Sequence, residues 1–365
     1  MVGRAGGLAI DPQRELVMRA LKNIWYMAAW DKEIPPGRLF HRTLVERPVV
    51  FFRDHEGSVR AIGDRCPHRF APLHMGELVG DAVQCRYHGL RFGSDGQCVH
   101  NPHGNGAIPK AAKVPSYPVY ERYGAVWIWF GDPALADPAK LPVFPLLDPE
   151  KYAAGQGYLK AKAHYELESD NIMDLSHIEF LHPLFATEAV RRGKIETVQE
   201  GDAVWSKRFI TNDHLPSFLE EIFGLEPGTA VDRWLDCKWQ APALIELYSG
   251  ATQTGRPREE GSDVPSIHFF TPETAKTTHY FYAMCCPRSA GPMAQEIAQQ
   301  QTDAVRGPFE TEDLPVVEAQ QEMIGDADFM SLNPVLLPTD AGAGRARRVL
   351  ARMIAEEEKQ LNPAK

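Results

Sequence analysis

Two pairings of cysteine with histidine constrain this chain more than any other feature of its sequence. Cys66-Pro67-His68 is followed, after sixteen residues, by Cys85-Arg86-Tyr87-His88-Gly89. Thiolate sulfur and neutral imidazole nitrogen both donate to iron or zinc, so two such pairs can hold one compact metal centre. The surrounding sequence suits that task. Gly76, Gly80, Gly89, Gly93 and Gly96 punctuate it, and short strands between tight turns would present the ligands from two loop tips of a small β domain.

The order and spacing of Cys66, His68, Cys85 and His88 match the Rieske [2Fe-2S] pattern, in which two thiolates hold one iron and two imidazoles the other. A structural zinc ribbon is the plainer reading. It leaves a second ligand-rich stretch downstream without a purpose.

Composition sets the remaining limits. At 365 residues the chain exceeds a typical single core and suggests two domains. Its 44% hydrophobic and 24% charged residues are those of an ordinary soluble globular protein. A net charge of -10 argues against a broad nucleic-acid surface. Six cysteines in this length do not make a disulfide framework, and Cys285 and Cys286 read as small apolar fillers of a strand. Met1 to Ile10 lacks the apolar region of a signal peptide, and no run of about 18 apolar residues occurs. The expectation is a reduced, cytoplasmic protein, with no membrane or nucleic-acid partner.

In chain order, a Gly-rich start gives way to helical spacing over Pro12 to Leu21, and the aromatic run from Asn23 to Trp30 reads as a strand. Val49 to Phe52 and Val59 to Ile62 form a hairpin about His55-Glu56-Gly57, and Ala125 to Phe130 is a buried strand. The proline-rich stretch from Gly131 to Pro145 reads as a linker. The resulting division is 22–135, 136–345 and a charged helical tail over 346–365. Within the second domain we expect a helix near 166–182, strands near 203–210, 235–250, 266–272 and 277–286, and a helix from 293–306 continuing brokenly to about 327.

The second ligand-rich stretch runs Asn171-Ile172-Met173-Asp174-Leu175-Ser176-His177, with His182 before Pro183. On a helix, Asn171, Asp174 and His177 share one broad face. His182 lies about 140° further round an ideal helix, so both imidazoles reach one metal only if the turn between them opens. Pro183 fits an early helix end there. With a carboxylate, the two histidines would form the triad of non-haem Fe(II) oxygenases. Asp170, Asp174, Asp303, Glu310, Glu312 and Asp313 could each complete it, and spacing does not choose among them.

With these motifs together, the chain resembles the oxygenase component of the Rieske non-haem iron oxygenases, closest to the vanillate O-demethylase and dicamba demethylase group. The resemblance rests on Cys66 to Arg69, Cys85 to Gly89, Glu121 to Gly124, Asn171 to His177 with His182, His268 to Thr274, and Glu312-Asp313. It implies an α+β fold, with a β-rich Rieske domain before a helix-covered antiparallel sheet of START-like (Bet v1-like) type. It implies Asp313 as the carboxylate ligand beside His177 and His182, and Asn171 next to the iron's open face. It also implies a head-to-tail homotrimer, in which Asp174 bridges His88 of one subunit and an iron-ligating histidine of the next.

The activity implied is that of a terminal oxygenase. It uses O2 and electrons from NAD(P)H, passed through a reductase or ferredoxin, to mono-oxygenate a small aromatic acid or aryl ether, by O-demethylation. Ring dihydroxylation is the alternative within the family. For the substrate, His268 matches a position that meets the carboxylate in the dicamba-type pocket, and Trp239, Tyr248, Phe269 and Phe270 are candidate wall residues. Gln301 to Pro308 lacks the tryptophan of that pocket, which points to a different aromatic acid or ether. A pure electron-transfer protein and a zinc-stabilised binding module are the readings from other classes; neither uses the histidine pair at 177 and 182.

Overall fold

The computed structural model describes residues 18–361. Most of the helical spacing over Pro12 to Leu21 lies outside them, and Met18 to Leu21 carry no helix.

The N-terminal region is built from three small antiparallel sheets. Its first strand, Trp25–Trp30, is buried along its whole length and pairs with Ala125–Trp129. The reason is the period of two along a strand. Tyr26, Ala28, Val126 and Ile128 face Val49 and Phe51 of the four-stranded sheet behind them. Trp25, Met27, Trp127 and Trp129 face the other way, onto Phe269 and Phe281 of the next domain. A strand apolar on both faces is the signature of a layer covered on both sides. Emptying one of these aromatic positions, as in Trp127→Ala, costs about 3–5 kcal/mol.

The stretch read as a linker takes part in this layer. It forms short 3-10 turns, and Leu141, Phe144, Leu146 and Leu147 are buried in the same cluster. The connection is therefore packed, and the two domains share a core.

The second domain is an antiparallel sheet whose main path runs Tyr152–Ala154, Thr277–Pro287, Ser266–Thr274, Leu244–Gln253, Ala230–Gln240, Ala203–His214 and Lys194–Glu200. The strand expected near 235–250 is a hairpin. Pro242, which has no N–H for a central ladder, lies in its turn. One face of the sheet is covered by Tyr165–Met173, by the helical run from Ala294 to Ile324, and by Ala341–Leu361.

Two expectations need correction here. The helix near 166–182 stops at Met173; Asp174 is extended, and the chain restarts as the 3-10 turn Leu175–His177 and the short helix Ile178–Leu181. The Asp174 carboxylate accepts from the Ser176 N–H and caps the new turn, so Asn171, Asp174 and His177 do not share one helical face. The C-terminal helix is not a detached tail. Ala346, Val349, Leu350 and Ile354 are buried in the main core, and Arg347 reaches both Glu166 and Asp170. Small residues permit this approach: a Cβ at Gly342 would stand 2.8 Å from that of Ser206.

Candidate metal centres and their cavity

The first centre is made by two turns of the same construction. The Phe70 N–H donates to the Cys66 carbonyl at 2.9 Å, and the Gly89 N–H donates to the Cys85 carbonyl at 2.9 Å. Both closing residues have positive φ, 60° at Phe70 and 72° at Gly89. Glycine takes that conformation without strain, whereas Phe70 pays a small penalty for it. The two loops converge, with the rings of His68 and His88 4.5 Å apart. Both cysteines are buried, whereas His88 is half-buried and His68 is exposed.

Burial pushes the Cys66 thiol up to about 11, and the Cys85 thiol beside it acts in the same direction. Backbone N–H groups of His68 and Arg69 point at its sulfur and favour the thiolate. Burial and the neighbouring His68 and Arg69 lower His88, which keeps its ring neutral with a lone pair to give. Two facing thiols inside and two imidazoles outside fit a [2Fe-2S] centre, whose iron would hold the sulfurs as thiolates.

The second centre joins distant parts of the chain. His177 and His182 come from the broken helix, and Asp313 from the π turn Phe309–Asp313 between two α-helices. Their donor atoms all lie within 4.8 Å of one another. Asp313 Oδ1 is 3.5 Å from His177 Nε2 and 3.3 Å from His182 Nε2. Two imidazoles and one carboxylate in a buried corner fit the facial triad of a non-haem iron.

Each ligand is oriented from behind. His177 Nδ1–H donates to the Asp174 carbonyl at 2.8 Å, His182 Nδ1–H to Glu312 at 2.6 Å, and the Asn171 amide to Asp313 Oδ1 at 3.1 Å. Burial holds His177 below its ordinary value. Burial also lowers His182, but the adjacent Asp313 and Glu312 carboxylates outweigh it and raise that ring. A proton and a metal ion are alternative ways to balance the same carboxylate, so metal capture here releases protons.

The Asp174 carboxylate does not meet His177; the backbone carbonyl makes that bond. Its oxygens accept from Ser176 Oγ at 2.8 Å and from Arg208 Nη2 at 2.9 Å.

A cavity of about 420 Å³ opens on the triad, between the sheet and the helices. Leu235, Leu247, Phe185, Phe218, Val305 and Phe309 make much of its wall. His268 lines it, but both ring nitrogens are engaged: Nε2 with Ser266 Oγ at 2.8 Å and Nδ1 with Tyr280 Oη at 2.7 Å. Burial pushes His268 down to about 3, so this ring is neutral.

The four candidate wall residues lie elsewhere. Trp239 has the right strand phase, but helix Tyr165–Met173 covers the sheet there, with Cys237 Sγ donating to the Ile172 carbonyl at 3.0 Å. Phe270 is buried in that same core against Tyr280. Tyr248 is on the opposite face from Leu247, donating to Glu246 at 3.0 Å. Phe269, out of phase with His268, packs on Trp127 and Phe144. Sequence reasoning missed Arg233, Leu247 and Ser249, which line the cavity, and the role of Glu312 behind His182. The alternation of strand 244–253 about Leu247 was the one available signal.

Residues 24–118 match the Rieske [2Fe-2S] domain, and residues 161–356 match the vanillate O-demethylase oxygenase C-terminal domain. The chain is 40% identical over 343 residues to the oxygenase component of chloroacetanilide N-alkylformylase from Rhizorhabdus wittichii, covering 92% of this chain and 96% of that protein. It is 36% identical over 342 residues to the oxygenase component of dicamba O-demethylase from Stenotrophomonas maltophilia, covering 92% and 98%. The crystal structure of dicamba monooxygenase bound to 3,6-dichlorosalicylic acid superposes with a TM-score of 0.82 at 34% identity, covering 94% of this chain and 99% of that one. With both domains matched and His177, His182 and Asp313 brought together, the chain belongs to the Rieske non-haem iron oxygenases, as an oxygenase component closely related to the vanillate- and dicamba-type demethylases.

Proposed function

We propose that this oxygenase removes an O-methyl group from a small aromatic ether or acid. The observation that carries the reading is the apolar cavity of about 420 Å³ that ends on His177, His182 and Asp313. Its size is that of a site for a substituted single ring, and its walls exclude water from the reacting end. When bound, the mononuclear iron supplies oxygen activation, and the [2Fe-2S] cluster supplies electrons drawn from NAD(P)H through a reductase or ferredoxin. Cys66, His68, Cys85 and His88 hold the cluster, while Glu312, Asn171 and the Asp174 carbonyl fix the three iron ligands. Hydroxylation of a methoxy carbon leaves a hemiacetal, which loses formaldehyde to give the phenol.

The working unit is a head-to-tail homotrimer in the cytoplasm. Phe70 and Tyr87 beside the cluster ligands are 68% and 61% exposed, and Phe180 and Leu184 beside His182 are 75% and 63% exposed. One heterologous contact repeated three times would cover both patches and bring cluster and iron of adjacent subunits together. Asp174, with its charge held by Arg208, then stands between His88 of one subunit and His177 of the next. The catalytic sheet under its helices is of the START-like type in this reading. No helix among the described residues is long and apolar enough to cross a membrane.

The test is turnover with a surrogate reductase on a panel of aryl methyl ethers. Formaldehyde and phenol in equal amounts are expected. Two atoms of labelled oxygen on the ring of the product would instead establish dihydroxylation.

A further inference from the structure

Arg233 is a buried charge with too few partners. It sits on strand Ala230–Gln240, is 4% exposed, and lines the cavity in phase with Leu235. Its Nε and Nη1 have no hydrogen-bond partner among the described residues. The nearest carboxylate is Asp213, whose Oδ2 is 3.6 Å from Nη1, beyond hydrogen-bond reach. That carboxylate is already used: Oδ2 accepts from Thr187 Oγ1 at 2.9 Å, and Oδ1 from the His214 N–H at 2.9 Å. Asp213 therefore offsets the charge without satisfying the donors. A guanidinium held this way in an apolar wall is costly unless something else accepts its N–H groups.

Its position says what that acceptor is attached to. Strand Leu244–Gln253 pairs Arg233 with Ala251 on one side and His268 with Ile245 on the other. Arg233 and His268 thus stand toward opposite ends of the cavity floor, and the charge of Asp313 is felt at the His268 end. Neutral His268, with both nitrogens engaged, cannot serve as the cationic anchor. Arg233 is the one arginine or lysine among the described residues lining the cavity. Its planar fork of N–H donors matches a carboxylate or sulfonate, which accepts two parallel bonds.

We propose that Arg233 binds the oxyanion of an anionic aromatic substrate, carboxylate or sulfonate, and so turns the far end of the ring toward His177, His182 and Asp313. This deepens the functional reading above and rests on it. It moves the specificity contact from His268 to the opposite end of the cavity.

Calorimetric binding to the iron-loaded enzyme tests the assignment. The probes are para-methoxybenzoate and para-toluenesulfonate, with para-methoxybenzamide as the neutral match. The proteins are the parent, Arg233→Gln, and the double variant Arg233→Gln/Asp213→Asn, which leaves no unpaired carboxylate behind. The cluster absorbance of each variant reports its folding. The parent should bind at least one of the two acids more tightly than the amide, and which one separates carboxylate from sulfonate as the natural group. In both variants the ratio of acid to amide affinity should fall at least about thirtyfold, the low end for removing one partner of a buried charge pair. An unchanged ratio, or a parent that binds neither acid, overturns the assignment. Formaldehyde release from neutral anisole by the same preparations keeps the two readings apart. Anisole turnover without acid selectivity removes only the role of Arg233. Acid-selective binding with no formaldehyde from any aryl ether removes only the demethylase reading.

Discussion

The cluster loops and the triad differ in how far the chain must fold before the ligands meet. Cys66 and Cys85 each open a five-residue turn closed by its own backbone bond, to Phe70 and to Gly89. Ligand geometry there is set locally, and only the docking of two turns is left to tertiary structure. The triad has no such local frame. His182 and its orienting partner Glu312 are 130 residues apart, and both helices that carry the ligands are irregular where they do so. A regular α-helix could not aim His177 and His182 at one point, nor choose among Glu310, Glu312 and Asp313. The 3-10 break and the π turn make those choices, and packing must maintain them.

The largest effects should come from separating the two centres. His177→Ala, His182→Ala or Asp313→Ala is expected to abolish turnover and take iron from about three per subunit to two, with the [2Fe-2S] spectrum retained. His88→Cys should act on the other centre alone. It should leave the mononuclear iron in place and lower the cluster potential by on the order of hundreds of millivolts, because imidazole ligation is what raises it. Loss of the cluster spectrum in His182→Ala would show that the centres are not independently built. Electron paramagnetic resonance with iron quantitation reads both outcomes.

A smaller effect tests the claim that the triad is oriented from a distance. Glu312→Gln removes the charge that holds His182 Nδ1–H but keeps an oxygen that can accept it. Iron affinity should fall about 10–100-fold, the usual range for such an outer partner, with the cluster untouched. Iron retention against a graded chelator measures this. Affinity equal to the parent would mean that the π turn alone positions Asp313 and that the bond behind His182 is incidental.

The same contrast explains what could be read from the sequence. The cluster ligands sit in two contiguous motifs, so their spacing carries nearly all of their geometry. The histidine pair was legible because His182 precedes Pro183, which forecasts an early helix end, and that helix closes at Leu181. The carboxylate was not legible from spacing, since Glu310, Glu312 and Asp313 share one turn and a single extra residue in it decides which faces inward. The cavity walls were least legible. Trp239 and Phe270 have the strand phase of wall residues, but helix Tyr165–Met173 lies over that part of the sheet, a fact of packing with no local signature. Arg233 is hidden for a related reason. Its strand phase, with Val231, Leu235, Cys237 and Trp239, is that of the apolar side, but a lone arginine between Asp232 and Trp234 carries no local sign that its charge is held inside.

The smallest effect concerns a buried acid that belongs to the triad region but holds none of its ligands. Glu168 is 3% exposed, and its Oε1 has no hydrogen-bond partner among the described residues. Burial, followed by the charges of Asp313 and Glu318, pushes it up to about 8 from an ordinary 4.5. Between those two values the folded protein keeps a proton that the unfolded chain has released. The folded state therefore binds more protons, and stability falls as pH rises through that window. The stabilising contribution is fully present below about 4.5 and is lost by about 8. Glu168→Gln cannot titrate and should remove this slope. Relative to the parent, the variant should gain on the order of 1–2 kcal/mol between pH 5 and pH 8, less than the full shift implies because the site relaxes and bound iron opposes the Asp313 charge. Urea denaturation at the two pH values provides the measurement. The cluster loops predict no part of this difference, so a Cys66 or Cys85 variant should keep the parent slope. If Glu168→Gln also keeps it, the pH response arises from another group, and Glu168 is accommodated without a trapped proton.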